Sequence, residues 1–442
     1  MKKRSFSMRF AFRSRPGSKK EGLLRLRVLC LLALLALVLM LPGCVGERPA
    51  NIDWAAPAGT TAANGGINGE IQSVLDTYSR ALVDKNRNEF AGVLDSGNPA
   101  FTNSELQRFD NLADVPFSEY SLRLASQSQT APDTVAAKAD TSYTLQGSFP
   151  DLPDPEREAY FLVKRPDGWK LSGDASEQVL GKKRNARFED FGKVEVLSGD
   201  RSIVLYHASA AGVAGQARQM TDSAMPRLEA VFPDAKLPKV PVKVYDSKAE
   251  IDQTFPGKWQ EWTGGASRQL GEKAEQGGEI IIDAGVFAST YQTSPGYNQK
   301  MIAHELTHIT LFPVSGNRTP PFLIEGLADY VGGIEDISML KERLSSGGAF
   351  SPTLRDIYQP GGFSALLTTD AATLAYEEAD SAVALLETRY GNDKVMALLR
   401  EFRRRQNDRQ SQDILVDEVF RSVLGVGWND FENEWRNYVL GG

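Results

Sequence analysis

Residues 301–312, MIAHELTHITLF, constrain the chain more than any other stretch, because they set His304, Glu305 and His308 in the spacing H-E-x-x-H. On a helix, residues four apart share one face, so His304 and His308 can offer ring nitrogens to a single metal ion, and two imidazoles so placed suit zinc. Glu305 projects from the adjacent stripe, where it can take a proton from a water at the metal's open position. The chain holds 3 His in 442 residues, and residue frequencies give on the order of one chance match per thousand such chains. Chance is a poor explanation. Ser294-Pro295 supplies an N-cap and a first-turn proline, and Met301, Ile302, Leu306 and Ile309 form an apolar stripe that buries the helix.

A catalytic zinc site needs a third protein ligand, and residues 321–330, PFLIEGLADY, offer one. They read as a short helix entered through Pro320-Pro321 and stopped by Gly332-Gly333, with Glu325 and Asp329 on one face. Glu325 is the expected third ligand. Asp329, one turn on, can accept the outward N–H of a ligating histidine and fix its tautomer.

H-E-x-x-H followed by L-I-E-G-L-A-D-Y resembles the gluzincin metallopeptidases, most closely the bacterial peptidase-MA-like families, whose second helix carries E-G-x-A. The likeness extends from about residue 202 to the C-terminus. It implies one zinc ion per chain on His304, His308 and Glu325, with Glu305 as general base and Asp329 as the aspartate that supports a histidine ligand. The third histidine of metzincins is absent. In gluzincins the strand before the active-site helix is a sheet edge that can pair with an extended peptide, and residues 279–283, EIIID, are expected to hold that place. Tyr376 falls where these families often carry a tyrosine whose phenol can donate to the oxyanion; packing is its other reading.

The N-terminus predicts export. Residues 1–27 are rich in Lys and Arg, and 28–41 form an apolar run too short for a comfortable membrane span. The run ends in Leu41-Pro42-Gly43-Cys44, which resembles the lipobox of bacterial lipoproteins. The resemblance implies cleavage before Cys44, a diacylglyceryl group on its sulfur, and a mature chain anchored to the cell membrane outside the cytoplasm; an uncleaved anchor or an ordinary cleaved signal are the alternatives. Cys30 and Cys44 are the only cysteines. No disulfide can form in the mature chain, so stability must come from core burial.

The formal charge of −7 gives no sign of nucleic-acid binding. Residues 44–68 read as a flexible tether. From 69 to 176 helical periodicity gives way to alternating strands closing on a W-x-L-x-G ending, a pattern similar to the cone-shaped nuclear-transport-factor-2-like domains, expected here as a spacer or protein-binding module. Residues 177–200 are charged and read as a linker, and 201–442 as the zinc domain. Within it, strands are expected at 202–207, 240–245 and 279–283, a glycine-rich lip at 264–278, and a closing helical bundle anchored by Phe420, Phe431 and Trp435. His207, at a strand end, is expected to be structural.

The fold class expected is therefore α+β: a helix-plus-curved-sheet domain, then a mixed sheet, the metal helices and a helical C-terminal subdomain. The function expected is hydrolysis of peptide or protein substrates. A non-catalytic zinc scaffold, or a metal-dependent hydrolase of cell-wall amides, are the competing classes.

Overall fold

The computed structural model describes residues 65–150, 152–257, 259, 264–270, 277–333, 337–346, 353–360, 363 and 369–441. The expected signal, Cys44 and nearly all of the tether lie outside them. The fold is α+β. Among the described residues, no helix is long and apolar enough to cross a membrane.

Among the described residues three helices come first: α1 (Gly65–Val83), α2 (Arg87–Gly92) and α3 (Pro99–Asn111). Asn86 and Asn98 cap α2 and α3, their side chains accepting the N–H of Glu89 and Phe101. A four-stranded antiparallel meander follows, β1 (Phe117–Ala131), β2 (Thr134–Leu145), β3 (Leu152–Arg165) and β4 (Gly168–Asp174), paired in chain order. The β1–β2 register slips between Phe117 and Glu119, Leu124 and Ser126, and Gln129 and Ala131. Slips of this kind bend long strands, and this sheet is curved. Ile71, Leu75, Tyr78 and Leu82, spaced by helical turns, fill its concavity against Leu122, Val135, Leu162 and Leu171.

After α4 (Ser176–Leu180) comes a second sheet, β5 (Glu195–Ser198), β6 (Ser202–Tyr206), β7 (Val240–Tyr245), β8 (Gly265–Gln269) and β9 (Gly278–Asp283), in the order β5-β6-β7-β9-β8. Strands β6, β7 and β9 run parallel, joined by crossovers through α5 (Ala211–Val231) and α6 (Lys248–Thr254), while β5 and β8 pair antiparallel at the two edges. Both faces are covered. Val204, Val242, Val244, Ile280 and Ile282 join the core of α5 and the metal helices, whereas Ile203, Leu205, Tyr245 and Ile281 join the core of the N-terminal helices and meander. The Lys239 N–H also donates to Gly147 O at 2.9 Å, tying the β2–β3 loop to the second sheet. Residues 177–200, expected as a linker, supply β5 and bury Phe188 and Val194 in the shared core.

One expectation is corrected here. Residues 279–283 are not the sheet edge: β9 lies between β7 and β8, every residue buried, and the edge is β8, drawn from the stretch read as a glycine-rich lip. The apolar run of β9 needs cover on both faces and both sides, whereas Gly-Ala-Ser-Arg-Gln tolerates an edge. Glu279 is held inside by Lys243 and Arg268; burial pushes its carboxyl up, and these cations outweigh it and hold it below the usual carboxylate range.

Beyond β9 the described elements are helices: α7 (Ala284–Thr293), α8 (Pro295–Leu311), α9 (Pro321–Gly332), α10 (Ser338–Ser345), α11 (Leu354–Ile357), α12 (Thr369–Tyr390), α13 (Asn392–Arg404), α14 (Gln412–Leu424) and α15 (Trp428–Leu440). Phe420, Phe431 and Trp435 are fully buried, as expected of core anchors.

Candidate metal centre

Helix α8 starts at Pro295, with Ser294 in the N-cap position; the Ser294 side chain does not make the capping bond the sequence suggested. Instead Asn298 donates through Nδ2 to Phe287 O at 2.8 Å and fixes the turn out of α7. The helix passes so close to β8 that a Cβ on Gly265 would lie 2.5 Å from Met301 Sδ. Helix α9 packs equally closely on α12, since a Cβ on Gly326 would lie 2.2 Å from Ala379 O and 2.8 Å from Val383 Cγ2. Gly326 is thus what lets α9 sit deep enough to aim Glu325 at α8. Gly326→Ala is expected to cost about 1–3 kcal/mol by overpacking against backbone, read as a lower urea midpoint together with lowered metal occupancy.

These two helices bring together His304, His308 and Glu325, all buried, as a group able to hold a metal ion. His304 Nε2 and His308 Nε2 lie 3.0 Å apart, and Glu325 Oε2 lies 3.5 and 3.6 Å from them. For ligands about 2.0–2.1 Å from a tetrahedral zinc, the edge between two donors is about 3.3 Å. The triangle fits. Its chemistry also asks for a cation, because both oxygens of the buried Glu325 lack a hydrogen-bond donor among the described residues. Burial pushes the Glu325 carboxyl up, and the imidazoles of His308 and His304 outweigh it, bringing it to about 2.

Asp329, one turn beyond Glu325, accepts from His304 Nδ1 at 2.7 Å. A proton on Nδ1 leaves the Nε2 lone pair pointing at Glu325, the tautomer a metal requires. Asp329→Asn, which keeps the size and weakens that acceptor, is expected to lower metal affinity about 10–100-fold, measured by competition with a chromogenic chelator.

Glu305 is fully buried and is not one of the three convergent donors. Its Oε2 accepts the backbone N–H of Ser267 on β8 at 2.7 Å. The bonds from Asp283 N–H to Gly264 O and from Leu270 N–H to Gly277 O place the even-numbered residues of β8 on the β9 side. Ser267 therefore presents its N–H to the outer edge, where Glu305 meets it. No side-chain pattern could have revealed this contact, since it uses backbone and depends on the register of a strand with no apolar alternation. Tyr376 lies beside the centre, its ring centroid 6.4 Å from that of His304 and 5.1 Å from that of Phe363. His207 is elsewhere: it stacks on Phe188 at 4.5 Å, with Nδ1 3.0 Å from Lys193 O.

No family model matches the chain, and no curated protein does. Among solved structures it is similar to a Novosphingobium aromaticivorans protein that carries a provisional aromatic ring hydroxylase name, at 15% identity over 24% of this chain and 87% of that one, with a TM-score of 0.19.

Proposed function

We propose that the protein is a zinc-dependent peptidase of the gluzincin type, exported and held at the cell membrane by a lipid on Cys44. The observation that supports this most is the convergence of His304, His308 and Glu325 within one another's reach, with Glu305 next to the first ligand in the chain and Asp329 behind it. A zinc ion held there would polarise a peptide carbonyl and bring the pKa of a water toward neutrality.

The rest of the mechanism belongs to the chain. Ser267 N–H holds the Glu305 carboxylate in one orientation, from which Glu305 takes the proton of the attacking water and later returns it to the leaving amine. Asp329 keeps His304 in its ligating tautomer. Tyr376, alongside His304, is proposed to donate its phenol proton in a hydrogen bond to the oxyanion. The outer edge of β8 next to Glu305 can align an extended peptide by backbone pairing, which favours conformation over sequence.

The test is metal content together with hydrolysis of a panel of peptides and cell-wall fragments by the purified protein. About one zinc per chain with peptide cleavage supports the proposal. Zinc with cleavage of wall amides alone moves the substrate class, and absence of zinc sinks the reading.

A further inference from the structure

In the β8–β9 pair Ser267 lies opposite Ile280, and Gly265 opposite Ile282. Directly opposed residues of an antiparallel pair share a face, and both isoleucines belong to the core that holds Met301, Ile302, Leu306 and Ile309 of α8. The Ser267 hydroxyl is therefore on the α8 side, the side on which a Cβ at Gly265 would meet Met301. At the outer edge its backbone N–H donates to Glu305 Oε2. Ser267 Oγ itself is buried and has no hydrogen-bond partner among the described residues. A hydroxyl taken from water and left unmet is unfavourable. The acceptor at hand is the carboxylate that its own N–H already holds.

The chain makes such a contact elsewhere. Ahead of α11, Thr353 has extended backbone, with φ −108° and ψ 162°. It donates both its N–H and its hydroxyl to Asp356 Oδ2, at 2.8 and 2.9 Å. Ser267, inside a strand, shares that extended backbone, so a change of χ1 between staggered positions brings Oγ to the same carboxylate oxygen as the N–H.

We propose that Ser267 is a positioning residue for the general base, its hydroxyl donating to Glu305 Oε2 alongside its backbone N–H. The proposal rests on the role given above to Glu305. A single N–H leaves a carboxylate able to turn about the N–H···O axis. Two donors from a strand fixed by β9 remove that turn and keep the base aimed while the proton moves.

The first test is a double-mutant cycle on the metal-free full chain, Ser267→Ala against Glu305→Ala, read by urea unfolding. The backbone N–H bond survives in Ser267→Ala, so the cycle isolates the hydroxyl. A hydrogen bond to a charged acceptor predicts that Ser267→Ala raises the unfolding constant about 10–100-fold more when Glu305 is present than when it is absent. The second test is kinetic. Where the unchanged protein cleaves a peptide, Ser267→Ala is expected to keep its zinc and its KM and to lose about tenfold in kcat, because a badly aimed base weakens only the step that moves the proton. Additive effects in the cycle overturn the proposal, and so does an unchanged kcat. If Glu305→Ala does not fold, the kcat of Ser267→Ala decides. If the unchanged protein cleaves no peptide, the peptidase reading fails, and the cycle alone decides whether the hydroxyl holds Glu305.

Discussion

Glu305→Gln is expected to keep about one zinc per chain while slowing peptide hydrolysis about 10²–10⁴-fold, the usual worth of a positioned general base. The substitution is chosen for what it preserves. A glutamine carbonyl oxygen can still accept the Ser267 N–H that Glu305 Oε2 accepts at 2.7 Å, so the edge strand and α8 keep their spacing. The three convergent donors do not include Glu305, so metal binding has no reason to fall. What disappears is a group able to take a proton and return it. Zinc in both forms with equal cleavage would show that Glu305 is not the base, and zinc in both with no cleavage in either would favour a scaffold.

The second large effect concerns folding. The fragment 201–442, which contains every proposed metal ligand, is expected to be insoluble or unfolded when made alone. Removing the N-terminal part would expose Ile203, Leu205, Tyr245, Ile251, Phe255 and Ile281, which share one core with the α1 helix and the meander. At about 1.5–3 kcal/mol for each large buried side chain, the loss is on the order of 10 kcal/mol, comparable to the whole stability of a typical domain. It would also take away Phe188 and Val194, core residues from the segment before β6. Expression of 201–442 beside the chain from residue 65, compared by solubility and thermal melting, checks this. A soluble fragment that melts cooperatively at the same temperature would show that the shared core contributes little.

The metal helices were legible because their chemistry needs rare residues at helical spacing, and His304, His308, Glu325 and Asp329 obey a period of four. The second sheet was half legible. Strands β6 and β9 read as apolar runs, but the run in β6, Ser-Ile-Val-Leu-Tyr buried at every position, does not itself say what covers its second face. A strand apolar on both faces needs cover on both faces, and the second cover is the α1 helix and the meander. Strand β8 was invisible for the opposite reason. Its partners are an N–H to Glu305, an Arg268–Glu279 pair and a glycine under Met301, none of which leaves a periodic signature. Phe188 and Val194, set among the charges of 177–200, were too few to reveal an ordered segment.

Strand β8 also dictates which length changes this chain can survive. Its residues alternate between two incompatible surroundings: Gly265 lies beneath Met301 on the α8 side, and Arg268 reaches buried Glu279 on the other. Inserting or deleting one residue within the strand would reverse that parity. A larger side chain would be forced against Met301, and Glu279 would lose one of its two cations inside the sheet. Two residues at once would restore parity but still shift the register. Natural relatives of this protein should therefore vary in length on either side of residues 265–269 and hardly ever inside them, a constraint that belongs to gaps in an alignment and that no tally of substitutions would reveal.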